Sequence, residues 1–340
     1  MEYIIYTLTI LILNLIIKKK KFFLSHLGFR HQEFVNKSIP LTGGLFLITP
    51  IVLIFGSNDF IFILFFLAIF FLGATSDLNI LSSPKKRFII QIILILFFVF
   101  IYKLEVLPSR IEFIDNYFLN TYWSYLFTIF CIMILLNGSN FIDGLNGLLL
   151  GYFLIIFFVI TNNNIIDSSS FLPQDANYKF FLFCFLFIYL LNICNQLFLG
   201  DGGAYSISFL IAFILIKIYD HQTLVVSPYY IILLLWYPCF ENLFSIIRKI
   251  VKKKSPYFPD NDHLHQYIFI FIKSKFKLNN LSSNIMSGIV INIFNFLILY
   301  IGSTNVSYTI LQLKLLCIAV FTYTTTYILL RRFKKNNKFI

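Results

Sequence analysis

The chain has 340 residues, 59% of them hydrophobic and only 12% charged. That balance excludes a soluble globule, which could not cover so large an apolar content with so few charges. The net charge of +12 is the excess that a membrane protein uses for orientation and for contact with anionic lipid, so no nucleic-acid partner is expected.

Apolar runs long enough to cross a bilayer recur along the chain. The expected fold class is all-α: a polytopic membrane protein with residues 1–340 as a single multi-pass domain. Eleven spans are predicted, at about 3–17, 41–56, 60–75, 88–104, 122–137, 145–161, 180–198, 203–219, 228–247, 285–302 and 308–330. The first run, Tyr3–Ile17, has its lysines after it and no small-residue cleavage site, so it reads as a span and not as a cleaved signal. Cys131, Cys184, Cys194, Cys239 and Cys317 lie in or beside apolar runs without metal-ligand spacing and read as packing residues. With the N-terminus outside and the C-terminus cytoplasmic, 22 of the 27 lysines and arginines fall on the inner face, as the positive-inside rule asks. The outer segments 105–119 and 162–178 read as plain polar loops, and no internal repeat is visible.

Every conspicuous polar motif falls on the inner side. The first is Lys37-Ser-Ile-Pro40-Leu-Thr-Gly43-Gly44. Its proline suits a first helical turn and its glycines suit close helix contact, while Lys37 could serve a phosphate. The second is Gly73-Ala-Thr-Ser76-Asp77, followed by Pro84-Lys85-Lys86-Arg87, a carboxylate beside a short basic cluster. The third is the knot Asn137-Gly-Ser-Asn140-Phe-Ile-Asp143-Gly-Leu-Asn146-Gly147. On a continuous helix its threefold spacing makes Asn140, Asp143 and Asn146 surface neighbours. The fourth, Phe198-Leu-Gly200-Asp201-Gly202-Gly203, opens a span. It reads as a backbone nest for a phosphate, or as a simple turn with an aspartate cap.

Further on, Pro238-Cys-Phe-Glu241-Asn242 sets a carboxylate inside a span, where acids are expensive and usually functional. Arg248, Lys249 and Lys252–Lys254 read as interface anchors. The last motif, Pro256-Tyr-Phe-Pro259-Asp260-Asn-Asp262-His263-Leu-His265, lacks a third and fourth zinc ligand. Phosphate hydrogen bonding or proton transfer fits its histidines better. Acids, amides, imidazoles and bases on one membrane face suit a metal-assisted reaction between a phosphate-rich substrate and a lipid.

These five ordered motifs, from Lys37 to His265, resemble the polyprenyl-phosphate N-acetylhexosamine-1-phosphate transferases, which include the peptidoglycan translocase and the enzymes that start many O-antigens. The resemblance implies transfer of a sugar-1-phosphate from a UDP-sugar to undecaprenyl phosphate with release of UMP. It implies Mg2+, with Mn2+ as an alternative, and a bacterial inner membrane with a cytoplasmic active face. A homodimer is left open.

By position, Asp77 matches the second aspartate of the family's Asp-Asp motif, and Asn140 and Asp143 match its asparagine–aspartate–glycine motif. Asp201 matches the magnesium-binding aspartate, helped by Asn140 and Asp143. Phe198 matches an aromatic near the uracil, and His263 and His265 match the histidine motif. The resemblance thus implies catalytic roles for Asp77, Asp143, His263 and His265. Substrate contacts are expected from Asn140, Asn146, Phe198 and Glu241, from Lys85 and Arg87, which match the family's basic residues if one residue is inserted, and from Asn137 and Lys37, the last near but not in register with the family's loop lysine. In the implied mechanism Asp77 positions or deprotonates the lipid phosphate. Four positions depart from the family pattern: Ser76 and Asn146 each replace an aspartate, Glu241 stands for an aspartate, and Gln266 replaces a third histidine. The competing readings are a transporter of a lipid-linked or anionic substrate and a catalytically inactive relative.

Overall fold

The computed structural model describes residues 1–21, 23–24, 38–56, 59–106, 108–118, 122–163, 178–255 and 262–336. Its helices are α1 (Glu2–Lys20), α2 (Gly43–Phe55), α3 (Phe60–Asp77), α4 (Pro84–Tyr102), α5 (Glu112–Phe118), α6 (Tyr122–Ile142), α7 (Leu148–Thr161), α8 (Tyr178–Ile193), α9 (Gly200–His221), α10 (Pro228–Val251), α11 (Leu264–Phe276), α12 (Asn280–Ser303) and α13 (Thr309–Asn336). Every expected span coincides with a helix. Six of them, α3, α6, α9, α10, α12 and α13, are long and apolar enough to cross a bilayer, whereas α2, α7 and α8 are apolar but shorter.

Two helices stand where loops were expected. The segment 105–119, expected as a plain loop, holds α5, and the segment 248–284, expected as a long loop, holds α11. Both are too short to register as spans, and α11 carries an apolar face that packs Leu264, Tyr267, Phe269 and Ile272 inward.

Helix starts follow local chemistry. Asp59 accepts from the Phe62 N–H (2.9 Å) and caps α3. Pro84 sits in the first turn of α4, where its missing N–H matters least. The Asn279 side chain accepts from the Ser282 N–H (2.8 Å) at the start of α12.

The axis of the bundle is α9, which is apolar on every side and buried almost throughout. Phe62 of α3 stacks on Phe209 and Phe213 of α9, with ring centroids 5.7 and 4.7 Å apart. Toward the start of α9 the backbones themselves touch. A Cβ on Gly44 would lie 2.4 Å from the Gly203 Cα, and one on Gly73 would lie 2.4 Å from the Gly202 Cα. Side chains at these points would drive α2 and α3 away from α9. Because they are absent, the last residue of α3, Asp77, reaches the first turn of α9.

Candidate active site

The site forms where the ends of α3, α4, α6 and α9 meet. Asp77 closes α3, and both its oxygens accept backbone N–H groups of α9: Asp201 to Oδ1 at 2.9 Å and Gly202 to Oδ2 at 3.1 Å. The anion held at this helix N-terminus is therefore Asp77 itself. The first N–H groups of the nest expected around Asp201 are thus taken by Asp77.

Asp201 is wired on both oxygens. Asn140 Nδ2 donates to Oδ1 at 2.6 Å, while Ser76 Oγ and Arg87 Nη1 each reach Oδ2 at 2.8 Å. Arg87 also donates to Ser76 Oγ. Arg87 and Asp201 are both buried, so this ion pair is shielded from water. Ser76 thus keeps a polar role: its hydroxyl bridges the guanidinium and the carboxylate.

Asp143 is different. It follows the last turn of α6, its own N–H bonded to Ser139 O at 3.1 Å. It is 9% exposed, and no hydrogen bond to its side chain exists among the described residues. Burial pushes its carboxyl well above the ordinary range, and the negative charges of Asp201 and Asp77 push it further. Asp143 is thus a buried acid within electrostatic reach of two others.

The knot does not continue as a helix. It turns after Ile142, and Gly147 adopts φ +74° before α7 begins. That turn separates Asn146 from Asn140 and Asp143, contrary to the helical spacing argument. Asn146 is buried in a cage of amides. Its Nδ2 donates to Asn192 O (3.0 Å) and Asn195 Oδ1 (3.1 Å), and its N–H donates to Asn284 Oδ1 (2.6 Å). Asn192 Oδ1 accepts the Gly147 N–H at 2.6 Å, and Asn292 donates to Gly147 O at 2.9 Å. These bonds give Asn146 a structural role. Asn137 likewise turns back on its own helix, to Met133 O at 2.9 Å, and toward Gln91 at 3.4 Å.

The histidines close the site from the other side. A Cβ on Gly144 would come 2.8 Å from His265 Nε2, so the absence of a side chain there lets the imidazole lie against the knot. Phe141 packs on His263 with centroids 5.3 Å apart, and the two imidazoles stack at 5.5 Å. Gln266, at the place of a third histidine, accepts the His263 N–H at 3.1 Å. Asp262, the residue before His263, accepts from Lys252 Nζ at 2.5 Å and from Tyr267 Oη at 2.8 Å. Burial raises its carboxyl, but these hydrogen bonds and the nearby cations outweigh burial and hold it below the usual range.

Glu241 is 0% exposed. Its Oε1 lies 2.8 Å from His263 Nδ1, and its Oε2 accepts from Tyr323 Oη at 2.7 Å. Both its oxygens are thus engaged inside the protein. The price of an acid inside a helix bundle is met by internal partners.

Arg248 and Lys249 are also corrected. Both are buried, Arg248 over the Phe244 and Tyr327 rings and Lys249 over Phe141, so neither is an interface anchor. Phe198 is buried with Ile39 and Leu41, and its N–H donates to Pro40 O at 2.8 Å. Lys85 is exposed in the first turn of α4. Lys37 lies outside the described residues. Tyr323 is the partner of Glu241 that the sequence does not reveal. A tyrosine among many on the last helix carries no local signal, because its partner is 82 positions away.

Among the described residues no three His, Cys, Asp or Glu side chains group as a self-sufficient metal site would require. The donors present still fit magnesium, which binds through one or two carboxylates and takes its remaining oxygens from substrate phosphates and water. Asp143, buried and without a donor, offers such an oxygen.

Residues 60–219 match a family model described as Glycosyl transferase family 4. The undecaprenyl-phosphate alpha-N-acetylglucosaminyl 1-phosphate transferase of Salmonella typhi is 24% identical over 275 residues, covering 76% of this chain and 73% of that protein. The protein of the same name from Thermotoga maritima is 24% identical over 289 residues, 85% of this chain and 84% of its own length. The one from Escherichia coli K12 is 26% identical over 157 residues, 43% of this chain and 41% of its own length. The resemblance drawn from the ordered motifs is borne out: this chain is similar to the polyprenyl-phosphate N-acetylhexosamine-1-phosphate transferases, and its residues 60–219 carry the glycosyl transferase family 4 region.

Proposed function

We propose that the protein transfers a sugar-1-phosphate, that of an N-acetylated hexosamine, from a UDP-sugar to undecaprenyl phosphate, releasing UMP and starting a cell-surface glycan such as O-antigen or capsule. The relatives' names support the acceptor lipid and the sugar-phosphate chemistry. The observation that carries the reading is the meeting of Asp77, Asp143 and Asp201 with Arg87 and Asn140 at adjoining helix ends. The reaction takes place at the cytoplasmic face of the inner membrane.

An oxygen of undecaprenyl phosphate attacks the β-phosphorus of the UDP-sugar. A new P–O bond forms as the bond from that phosphorus to the bridging oxygen breaks, and the electron pair leaves with UMP. Asp143 and Asp201 would hold Mg2+, which offsets the repulsion between the two anionic reactants. Asn140 and Ser76 fix the Asp201 carboxylate, and Asp77 fixes the turn that carries it. Arg87 pairs with Asp201 at 2.8 Å. Incoming phosphate offers Arg87 a bidentate partner, which would leave Asp201 able to join Asp143. Lys85, one residue into the same helix, adds charge from the solvent side. His263 and His265 face the knot, where they can hydrogen-bond the diphosphate and stabilise its charge in the transition state.

Purified protein in lipid nanodiscs, supplied with undecaprenyl phosphate, Mg2+ and a panel of UDP-sugars, is expected to release UMP with at least one donor. Release from none of them would overturn the reading.

A further inference from the structure

The Glu241 carboxylate connects the histidine motif to the C-terminal helix. Its two oxygens point opposite ways: Oε1 to His263 Nδ1 at 2.8 Å and Oε2 to Tyr323 Oη at 2.7 Å. Glu241 and Tyr323 are both buried. The Tyr323 ring is gripped edge-on by Phe240 at 4.9 Å and by Phe244 at 5.4 Å, and it lies parallel to Tyr327 at 6.4 Å. A carboxylate held on one side only can swing about its last torsion, which is broad for glutamate. One held on both sides cannot. A carboxylate accepts, so His263 carries a proton on Nδ1 toward Glu241.

We propose that Tyr323 is a positioning residue for the His263 imidazole, acting through Glu241 to fix its orientation and tautomer. The inference rests on the functional reading above only for what His263 then does; the geometry stands independently. The other titratable or charged groups around this relay are Tyr237 and Arg248 from α10, His265 from the histidine motif, and Tyr327 from α13. Lys249 of α10 lies behind Phe141. Tyr323 itself is on α13, and its hydroxyl donates to Glu241 Oε2 at 2.7 Å. Changing Tyr323 to phenylalanine removes that one donor and keeps the ring in its aromatic grip.

The test uses the full chain in nanodiscs with 15N-labelled histidine. The chain has five histidines, and the His263 signals are identified by their loss in H263Q. In the parent, His263 is expected to show a single Nδ1–H tautomer. In Y323F, a second tautomer should appear while thermal unfolding shows a folded protein. E241Q should mix the tautomers more strongly. In the UMP assay Y323F should lower kcat about tenfold, the low end of what losing a partner of a functional histidine costs at metal sites, with KM unchanged within about twofold. An unchanged Nδ1–H tautomer in folded Y323F overturns the proposal, even if kcat falls, because the effect would then be structural. If the parent releases no UMP but Y323F still mixes the tautomers, the positioning role stands and the functional reading fails.

Discussion

Replacing Asn146 by aspartate restores the residue type that the family motif leads one to expect, yet the structure predicts damage. The side-chain amide donates to Asn192 O and Asn195 Oδ1 at 3.0 and 3.1 Å, in a position only 4% exposed. A carboxylate cannot donate to either and would set its negative charge against two oxygens. Each lost hydrogen bond costs roughly 1 kcal/mol, and leaving acceptors and a charge unsatisfied adds several more. The total is about 3–5 kcal/mol, or roughly 5–10 °C in the unfolding midpoint. Differential scanning fluorimetry of Asn146→Asp in detergent, with and without Mg2+, measures it. The loss should shrink as pH falls, because protonating the new carboxyl removes its charge and returns one donor. A variant as stable as the parent, or one newly stabilised by Mg2+, would refute the assignment of Asn146 to the amide cage.

Without a divalent cation, Asp143→Asn should stabilise the protein. The folded-state pKa of Asp143 is raised by burial and by Asp201 and Asp77, so the parent favours the protonated form. Its relative stability therefore falls as pH rises from the ordinary carboxylate pKa of about 4 toward the raised value, and the variant's advantage grows across that window. Thermal unfolding from pH 4 to 8 checks the sign, and added Mg2+ should stabilise the parent more than the variant. Gly73→Ala should cost about 3 kcal/mol or more, since its methyl would meet the Gly202 backbone at 2.4 Å. A variant with parental expression and unfolding temperature would contradict that contact.

The helices were legible because apolar runs of span length leave few alternatives in lipid. Where an element was short and mixed, as in Leu264–Phe276, the charged end concealed it. The motif acids were legible for the same reason that Glu241 was: charge is expensive among apolar residues. Their division of labour was not. Asp77 looks like a free acid until α9 is packed against α3 and offers it two N–H groups. Asn146 looks like a weakened ligand until Asn192, Asn195 and Asn284 arrive from α8, the turn after it and α12. Arg248 and Lys249 look like anchors because a helix end beside lipid usually carries them, and only tertiary packing turns both inward. Each of these depends on partners distant in sequence, which no local pattern encodes.

The central claim is that Asp143 and Asp201 share a cation on a bound nucleotide-sugar. Its most direct test is UMP release by the parent, Asp143→Asn and Asp201→Asn across a Mg2+ titration, with undecaprenyl phosphate and the best donor present. The parent should turn over only with Mg2+, and both variants should fall to background at every concentration. Parental turnover in either folded variant, or undiminished release in excess chelator, would contradict the account.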